Sequence, residues 1–429
     1  MLHHDIALPI CEKLSDYDKL SLIATSQYLN AIKYKATFVE RIFIVCINHL
    51  PYFDRFCDVI VSSITDRVPL STTRLSFCGK INESIVGYVP NSVTRLTLGN
   101  YFNKPINGCI PESVTHLTFT SNYTYPLKDC IPKYVTHLGF CNLFDGSVEG
   151  CVPDSVTHLT FGWNFNRSVK NTIPASVTHL QFGARFNMSI IGSIPDSVTH
   201  LEFGYEFNEE IEGHLPRSLI SLKFGARFNR SIKNAMPPSV TYLKFGDLFD
   251  QAIEGCIPAS VTHLVFGRNF NKSVKGHIPT SVSHLIFGKN FDSIVQNSIP
   301  TSVTYLIIEN ISVWQVKFIP SSVTHLTFGG QFNNYIDHCI PSSVTHLTFG
   351  NSFNRPIQGC IPNSVTHLVF GCDFNRLCIM PKSVTHITFG YSFSGSLNYL
   401  PETIECITIN RNYRHSIDDK IKSKVRFVA

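Results

Sequence analysis

Residues 194–211 read IPDSVTHLEFGYEFNEEI, and the chain writes nearly the same phrase again and again. Residues 152–169 read VPDSVTHLTFGWNFNRSV, and residues 215–232 read LPRSLISLKFGARFNRSI. Prolines mark the phase: 69, 90, 111, 132, 153, 174, 195, 216, 237, 258, 279 and 300 are each 21 residues apart, and 320, 341, 362, 381 and 401 continue the series. The position six residues after the proline is Leu or Ile in all seventeen units, as at Leu96, Leu201 and Ile387. Eight after it, fourteen units carry Phe, and twelve after it, thirteen do. Those two columns hold 27 of the 33 phenylalanines, so the aromatic content belongs to the repeat itself. A fixed period of this length overrides any count of domains from chain length.

The spacing within one unit selects the local structure. In VTHLEF the Leu and Phe stand two apart and share one face of a strand, while His and the residue after Leu share the other. The Gly that usually follows, as at Gly99, Gly162, Gly204 and Gly350, ends the strand where a bend or a positive φ is expected. Asn or Asp beside the second Phe (Asn103, Asp145, Asn166, Asn208, Asn375) suits hydrogen bonding to loop backbone. Proline, with its fixed φ and no donor, marks a corner. Twenty-one residues cannot bury their own apolar face, whereas stacked units can. The expected fold is mainly β: a parallel β-solenoid of about 17 leucine-rich-repeat-like units, spanning residues 69–414.

Composition narrows the rest. The net charge is +5 and only 16% of residues are charged, which provides no basic stripe for nucleic acid. MLHHDIALPICEKL lacks the basic start and apolar run of a signal peptide, and apolar stretches such as IFIVCI (42–47) are too short to span a membrane. Fourteen cysteines in a chain so well stocked with core formers read as thiols of a reducing compartment. A cytoplasmic protein without nucleic-acid or membrane partners is expected.

The phrase SVTHLxFGxxFN…IP resembles the FNIP repeat, a leucine-rich-repeat relative found in amoebae and in large DNA viruses that infect them. The resemblance covers roughly residues 69–414. One unit departs from it: SVTYLIIENISVWQVKFIP (302–320) keeps Val303 and Leu306, loses the FG and FN elements and is one residue short, so a bulge or bend is expected there.

Other columns test for chemistry. Eleven of the eighteen histidines share one register: His116, His137, His158, His179, His200, His263, His284, His325, His346, His367 and His386. A single-file row offers neighbouring pairs, whereas a zinc site needs three or four converging ligands. Arg95, Ser221, Tyr242 and Tyr305 occupy the same column, so it reads as structural, and no metal or cofactor is expected. Cys109, Cys130, Cys151, Cys256, Cys339 and Cys360 each stand two before the proline and read as small buried hydrophobes. Lys128, Glu149, Lys170, Glu212, Lys233, Glu254 and Lys275 alternate in sign around Ile191, which would favour the correct stacking register through cross-strand pairs. With no carboxylate column, no phosphate-binding glycine loop and no catalytic triad apart from the repeated phrase, an enzyme is not expected.

Residues 1–45 do not share the repeat. LHHDIALPICEKLSDYDKLSLIATSQYLNAI has apolar positions spaced for helices, with Pro9 set to kink or displace the first and Ser15 or Asp16 placed to cap a second. On residues alone it reads as a helical cap over the first coil's apolar edge. It also resembles an F-box, because Leu2, Asp5, Ile6, Ile10, Leu14, Ser15, Asp18, Leu20, Leu22 and Ser26 fall on the spacing of that motif. An F-box followed by FNIP repeats is a known arrangement. The resemblance implies docking through Leu2, Ile6, Ile10, Leu14 and Leu20 onto the small adaptor subunit of cullin–RING ubiquitin ligases. Residues 46–68 (CINHLPYFDRFCDVIVSSITDRV) read as a connector and cap. The tail, 415–429, is basic and either is disordered or closes the last coil.

The leading expectation is therefore a substrate receptor whose repeats bind an unnamed protein target. Target contacts are expected where the repeat varies. Seven after the proline, the usual Thr becomes Glu202, Lys223, Lys244, Val265, Ile286 and Ile307 in six successive units, beside Tyr242, Tyr305 and Trp314. Exposed aliphatics there form a contact patch, although β-branched residues also simply suit strands. Rival readings are a binding scaffold with no ubiquitin role and a viral decoy that sequesters the ligase adaptor.

Overall fold

The structure, a computed structural model, describes the chain except residues 1–3, 26, 121–122, 294–295, 310–317, 338, 377–378 and 429, and describes only the backbone of 4–7, 27 and 28. It divides into two compact units, Met1–Gly204 and Tyr205–Ala429.

Among the described residues of the first unit, two helices, α1 (His4–Cys11) and α2 (Asp16–Ala24), and a short third, α3 (Gln27–Asn30), precede nine strands. These are β1 (Phe38–Phe43), β2 (Phe56–Val61), β3 (Arg74–Phe77), β4 (Arg95–Leu98), β5 (His116–Phe119), β6 (His137–Gly139), β7 (His158–Thr160), β8 (His179–Gln181) and β9 (His200–Glu202). Each pairs in parallel with the next, and the repeat sets the register: Leu75, Leu96, Leu117, Leu138, Leu159, Leu180 and Leu201 are successive Cα partners. In the second unit the strands are β10 (Ser221–Lys223), β11 (Tyr242–Lys244), β12 (His263–Val265), β13 (His284–Phe287), β14 (Tyr305–Ile308), β15 (His325–Phe328), β16 (His346–Thr348), β17 (His367–Val369), β18 (His386–Thr388), β19 (Cys406–Asn410) and β20 (Val425–Val428). They form the same kind of ladder. The parallel solenoid expected from spacing is the observed fold.

The ladder outruns the repeat at both ends. β1 lies in the N-terminal segment and β2 in the connector, and they pair with each other before β3 begins. At the other end β20 closes the last coil against β19. α1 runs through Pro9, and Ser15 caps α2 by accepting the Asp18 N–H at 3.1 Å.

Each coil is one short strand and three tight turns, and the repeated phrase describes how it stacks. The first turn follows the proline, whose carbonyl accepts the Val N–H three residues on, as from Val93 to Pro90 at 3.0 Å. The Ser of SVTH donates to the Val carbonyl one coil back, as from Ser113 to Val93 at 2.8 Å. The carbonyl of the Thr accepts two N–H groups from the next coil, as Thr94 does from Thr115 (2.9 Å) and His116 (3.0 Å). Backbone groups at the corner are thus satisfied between coils, which a lone coil could not do.

Val, Leu, both Phe columns and the Ile columns fill the interior. Within a coil the two Phe rings stack at 4.0 Å in Phe161–Phe165 and 3.9 Å in Phe182–Phe186. Between coils they repeat at 5.6 Å (Phe161–Phe182) and 6.2 Å (Phe165–Phe186). The second Phe is a fully buried member of a double aromatic stack.

One expectation about turns is corrected. The glycines that end the strands carry no positive φ; they are needed because the coils touch there. A Cβ on Gly183 would lie 1.6 Å from the Gly162 carbonyl oxygen, and one on Gly162 would lie 1.6 Å from that of Cys141. The positive φ belongs instead three residues before the proline, at Gly108 (66°), Gly150 (65°), Gly192 (60°) and Gly213 (72°). Asp129 (56°), Asn171 (58°), Asn234 (55°) and Asn297 (53°) take the same conformation. That position is the third residue of a tight turn closed by a bond such as Cys109 N–H to Ile106 O at 2.9 Å, where only Gly, Asn or Asp adopt a left-handed backbone readily.

The asparagine column does bond backbone, but that of the next coil. Asn208 Oδ1 accepts the Asn229 N–H (2.9 Å), Asn229 Oδ1 that of Asp250 (2.9 Å), and Asp250 Oδ1 that of Asn271 (2.9 Å). The alternating Lys and Glu column closes no ion pair among the described residues; Glu212 instead accepts from Asn234 Nδ2 at 3.3 Å. Ion pairs between coils form elsewhere, at Arg167–Asp145 (3.2 Å), Arg227–Glu206 (2.7 Å) and Lys272–Asp250 (2.9 Å).

The short units keep strand register. Leu306 pairs with Leu326, Leu368 with Ile387 and Ile387 with Ile407, so the missing residues are lost outside the strands. The bulge expected in unit 302–320 falls on 310–317, outside the described residues.

Candidate interaction faces

The strand face opposite the core presents the histidines as a stack. In the first unit His116, His137, His158, His179 and His200 have ring centroids 4.0, 4.1, 4.2 and 4.2 Å apart. In the second, His325, His346, His367 and His386 repeat this at 4.2, 4.3 and 4.4 Å. The preceding Thr hydroxyl holds each ring at Nδ1, as Thr115 does His116 at 2.9 Å and Thr157 does His158 at 2.9 Å. The rings are half-buried. Among the described residues no group of three or more His, Cys, Asp or Glu is placed to hold a metal ion.

A ring in this stack resists protonation, because burial removes solvent from the cation and its neighbours share the same charge. Desolvation, then His137 and Arg95, push His116 down to about 4, and His137, His158 and His179 are lowered by the same burial and by neighbouring cations. His284, His346 and His367 are lowered likewise in the second unit. A depressed folded-state value means that the unfolded chain binds protons more readily, so stability rises with pH. The contribution is complete above the unfolded value near 6.5 and is lost as pH falls toward 4. Melting temperature should therefore be highest above pH 7 and drop progressively from pH 6.5 to 4. A variant with Ser at 158 and 179, the residue found at Ser221, should show a shallower drop in a calorimetric pH series.

The described cysteines are free thiols; of the column expected to be buried, Cys109, Cys151 and Cys360 are, whereas Cys130, Cys256 and Cys339 are only half-buried because their corner faces solvent. Burial raises the first three, and Cys360, which also donates to Asp337 Oδ1 at 3.1 Å, is raised to about 11.

The expected target residues fall in both units. Glu202 is half-buried on β9 of the first. In the second, Lys223, Lys244, Val265, Ile286 and Ile307 are successive Cα partners across β10–β14. Lys244 is exposed and the others are half-buried. Tyr242 and Tyr305 extend the histidine column and flank His263 and His284, with ring centroids 6.1 Å from Tyr242 to His263 and 5.3 Å from His284 to Tyr305. Lys244, Val265 and Ile286 line a surface depression of about 490 Å³ together with Asp247, Arg268 and Lys289. Trp314 lies outside the described residues.

The helical segment docks on β1 through polar groups. Asp16 Oδ2 accepts the Glu40 N–H (2.7 Å), Glu40 Oε1 accepts the Asp16 N–H (2.9 Å), and Lys19, 2% exposed, pairs with Asp16 at 2.7 Å. Meanwhile Ile10 (41%), Leu20 (42%) and Tyr17 (76%) are exposed, and Leu14 is half-buried. Leu2 lies outside the described residues, and of Ile6 only the backbone, within α1, is described.

Among the described residues no helix is long and apolar enough to cross a membrane. The chain is similar to a solved structure described as "CroV588 a novel circular LRR protein structure", with 34% identity and a TM-score of 0.70 over 89% of this chain. It spans only 62% of that protein's length. No curated protein matches the sequence. Ten overlapping or successive segments, from 82–120 to 353–392, match the FNIP Repeat. With the 21-residue period and its parallel ladder on the page, these matches across most of the chain establish that it belongs to the FNIP repeat family.

Proposed function

We propose that the chain is a non-enzymatic protein-interaction adaptor: its repeats hold a protein target, and its helical N-terminal segment docks the small adaptor subunit of cullin–RING ubiquitin ligases. The observation that carries the docking half is that α2 buries two charged residues alongside Ile23 while leaving an apolar one exposed. It buries the charged Asp16 and Lys19 against β1 and turns Leu20 outward, with Ile10 of α1 also exposed. Apolar side chains left outside while charges are buried favour a partner that covers them. The target half is supported by Val265, Ile286 and Ile307, three successive aliphatic partners in a column whose commonest residue is Thr.

Purified protein titrated with purified ligase adaptor subunit tests this reading. Wild type should bind with micromolar or tighter affinity, and Ile10→Asp with Leu20→Asp should weaken binding at least about tenfold, or more than 1.4 kcal/mol. The melting temperature of the variant should stay unchanged, since both side chains are exposed. If wild type does not bind, the ligase role falls and a scaffold whose helices only cap β1 remains. The reciprocal Asp16–Glu40 bonds favour that second reading.

A further inference from the structure

The histidine column of the first unit does not begin with histidine. Its register runs Arg41, Asp58, Arg74, Arg95, His116, His137 and His158 from β1 to β7. Asp58 is buried and pairs with both Arg41 (3.3 Å) and Arg74 (3.7 Å), so one carboxylate answers two guanidinium groups. Glu40, the other carboxylate beside this row on β1, is engaged by the Asp16 N–H. Arg95 is exposed and has no carboxylate within 4 Å among the described residues. The four charged members of the row therefore carry a net +2.

A depression of about 590 Å³ lies over this row, lined by Arg74, Arg95 and His116 and by the neighbouring column of Ser76, Thr97, Thr118, Gly139 and Thr160. Gly139 is the one glycine in that column of the sequence, where Thr is the commonest residue. Its missing side chain leaves a notch beside Thr118, whose methyl and hydroxyl would be 3.6 Å from a Cβ there. An added Thr would thus fit the fold and fill the notch. The half-buried imidazoles resist becoming cations, so the positive charge concentrates on the arginines.

We propose that this face is a binding site for an acidic peptide segment, whose carboxylates pair with Arg95 and Arg74 while its chain lies across the Gly139 notch. Guanidinium forks match carboxylates in geometry as well as charge. Threonine hydroxyls along the floor supply donors and acceptors for an extended backbone. This inference deepens the target-binding half of the proposed function and rests on it, placing one target contact at the N-terminal part of the solenoid. The ligase adaptor takes no part in its test, so failure here leaves the docking half standing, and the reverse also holds.

The test is fluorescence anisotropy on the full chain with a labelled ten-residue peptide of alternating Glu and Thr, its Lys–Thr counterpart, and a single-stranded oligonucleotide of matched charge. The Glu–Thr peptide should bind saturably and more weakly as salt rises, and the Lys–Thr peptide should not bind. Arg95→Glu should weaken binding at least about tenfold and Gly139→Thr several-fold. Arg227→Glu, in the other unit, should leave it unchanged, and melting temperatures should confirm that Arg95→Glu and Gly139→Thr fold. Three results would overturn the proposal: no saturable binding of the Glu–Thr peptide, binding indifferent to Arg95→Glu, or tighter Arg95-dependent binding of the oligonucleotide.

Discussion

Gly183→Ala should destabilise the protein by roughly 3–5 kcal/mol, well beyond an ordinary surface substitution. The new methyl would sit 1.6 Å from the Gly162 carbonyl oxygen and 2.4 Å from its carbon. Both are backbone atoms, so neither can swing aside as a side-chain tip could. Relief requires the coils to part, which lengthens hydrogen bonds such as Arg185 N–H to Trp163 O, now 2.8 Å. Gly192→Ala is the control. There a Cβ meets nothing within 4 Å, and only the left-handed backbone (φ 60°) objects. That penalty is about 1–2 kcal/mol. Gly192→Asn should be close to neutral, since Asn171, Asn234 and Asn297 already hold this conformation. Thermal and urea melts of the three variants decide the matter. Equal losses for Gly183→Ala and Gly192→Ala would mean that coil contact does not govern the strand-end glycines.

Phe165→Ala should cost about 3–5 kcal/mol. The ring is fully buried, stacks on Phe161 at 4.0 Å and lies 6.2 Å from both Phe144 and Phe186. Its loss opens a cavity in the middle of a stack in which each coil rests mainly on its neighbours, so interfaces on both sides weaken at once. Phe165→Leu should recover much of the loss by restoring volume, as Ile81 does in the same column. Calorimetry should show a lowered melting temperature for the Ala variant, and a smaller drop for Leu. A loss under 1 kcal/mol for Phe165→Ala would show that the aromatic stack is dispensable there.

The Leu and Phe columns were legible in the sequence because their identity and their two-residue spacing both report burial. Register was legible as well, since 21 residues carry each Leu onto the next. The two glycine columns were harder to separate. One is required by approach between coils and the other by a torsion angle, and a single letter spells both. The signal that tells them apart is the company each keeps: Asn and Asp replace glycine where φ is positive, as at Asn171 and Asp129. At the strand ends the replacements are instead residues such as Cys141 and Thr120. The alternating charges misled because alternation along the axis guarantees adjacency and not side-chain reach. β1 and β2 escaped detection because they lack the phrase: β2 pairs with the first repeat strand, β3, and β1 pairs only with β2. At the candidate faces, Val265, Ile286 and Ile307 stood out as departures from Thr. The arginine row did not, because Arg41 and Asp58 join the column only through strands that the repeat does not announce.

Coil length is adjustable while strand phase is not. Successive Leu or Ile partners are 21 residues apart in most coils, 20 from Leu306 to Leu326 and 19 from Leu368 to Ile387, yet pairing is unbroken. A wrap can therefore shorten on its loop side without shifting any strand partner. Gene-level slippage that deletes a codon or two there, or adds a whole unit, would be tolerated by the stack, while the same change within SVTHL would not. Such a molecule can diversify its rim quickly while its spine stays fixed, and that rim is where a guest epitope could be spliced in.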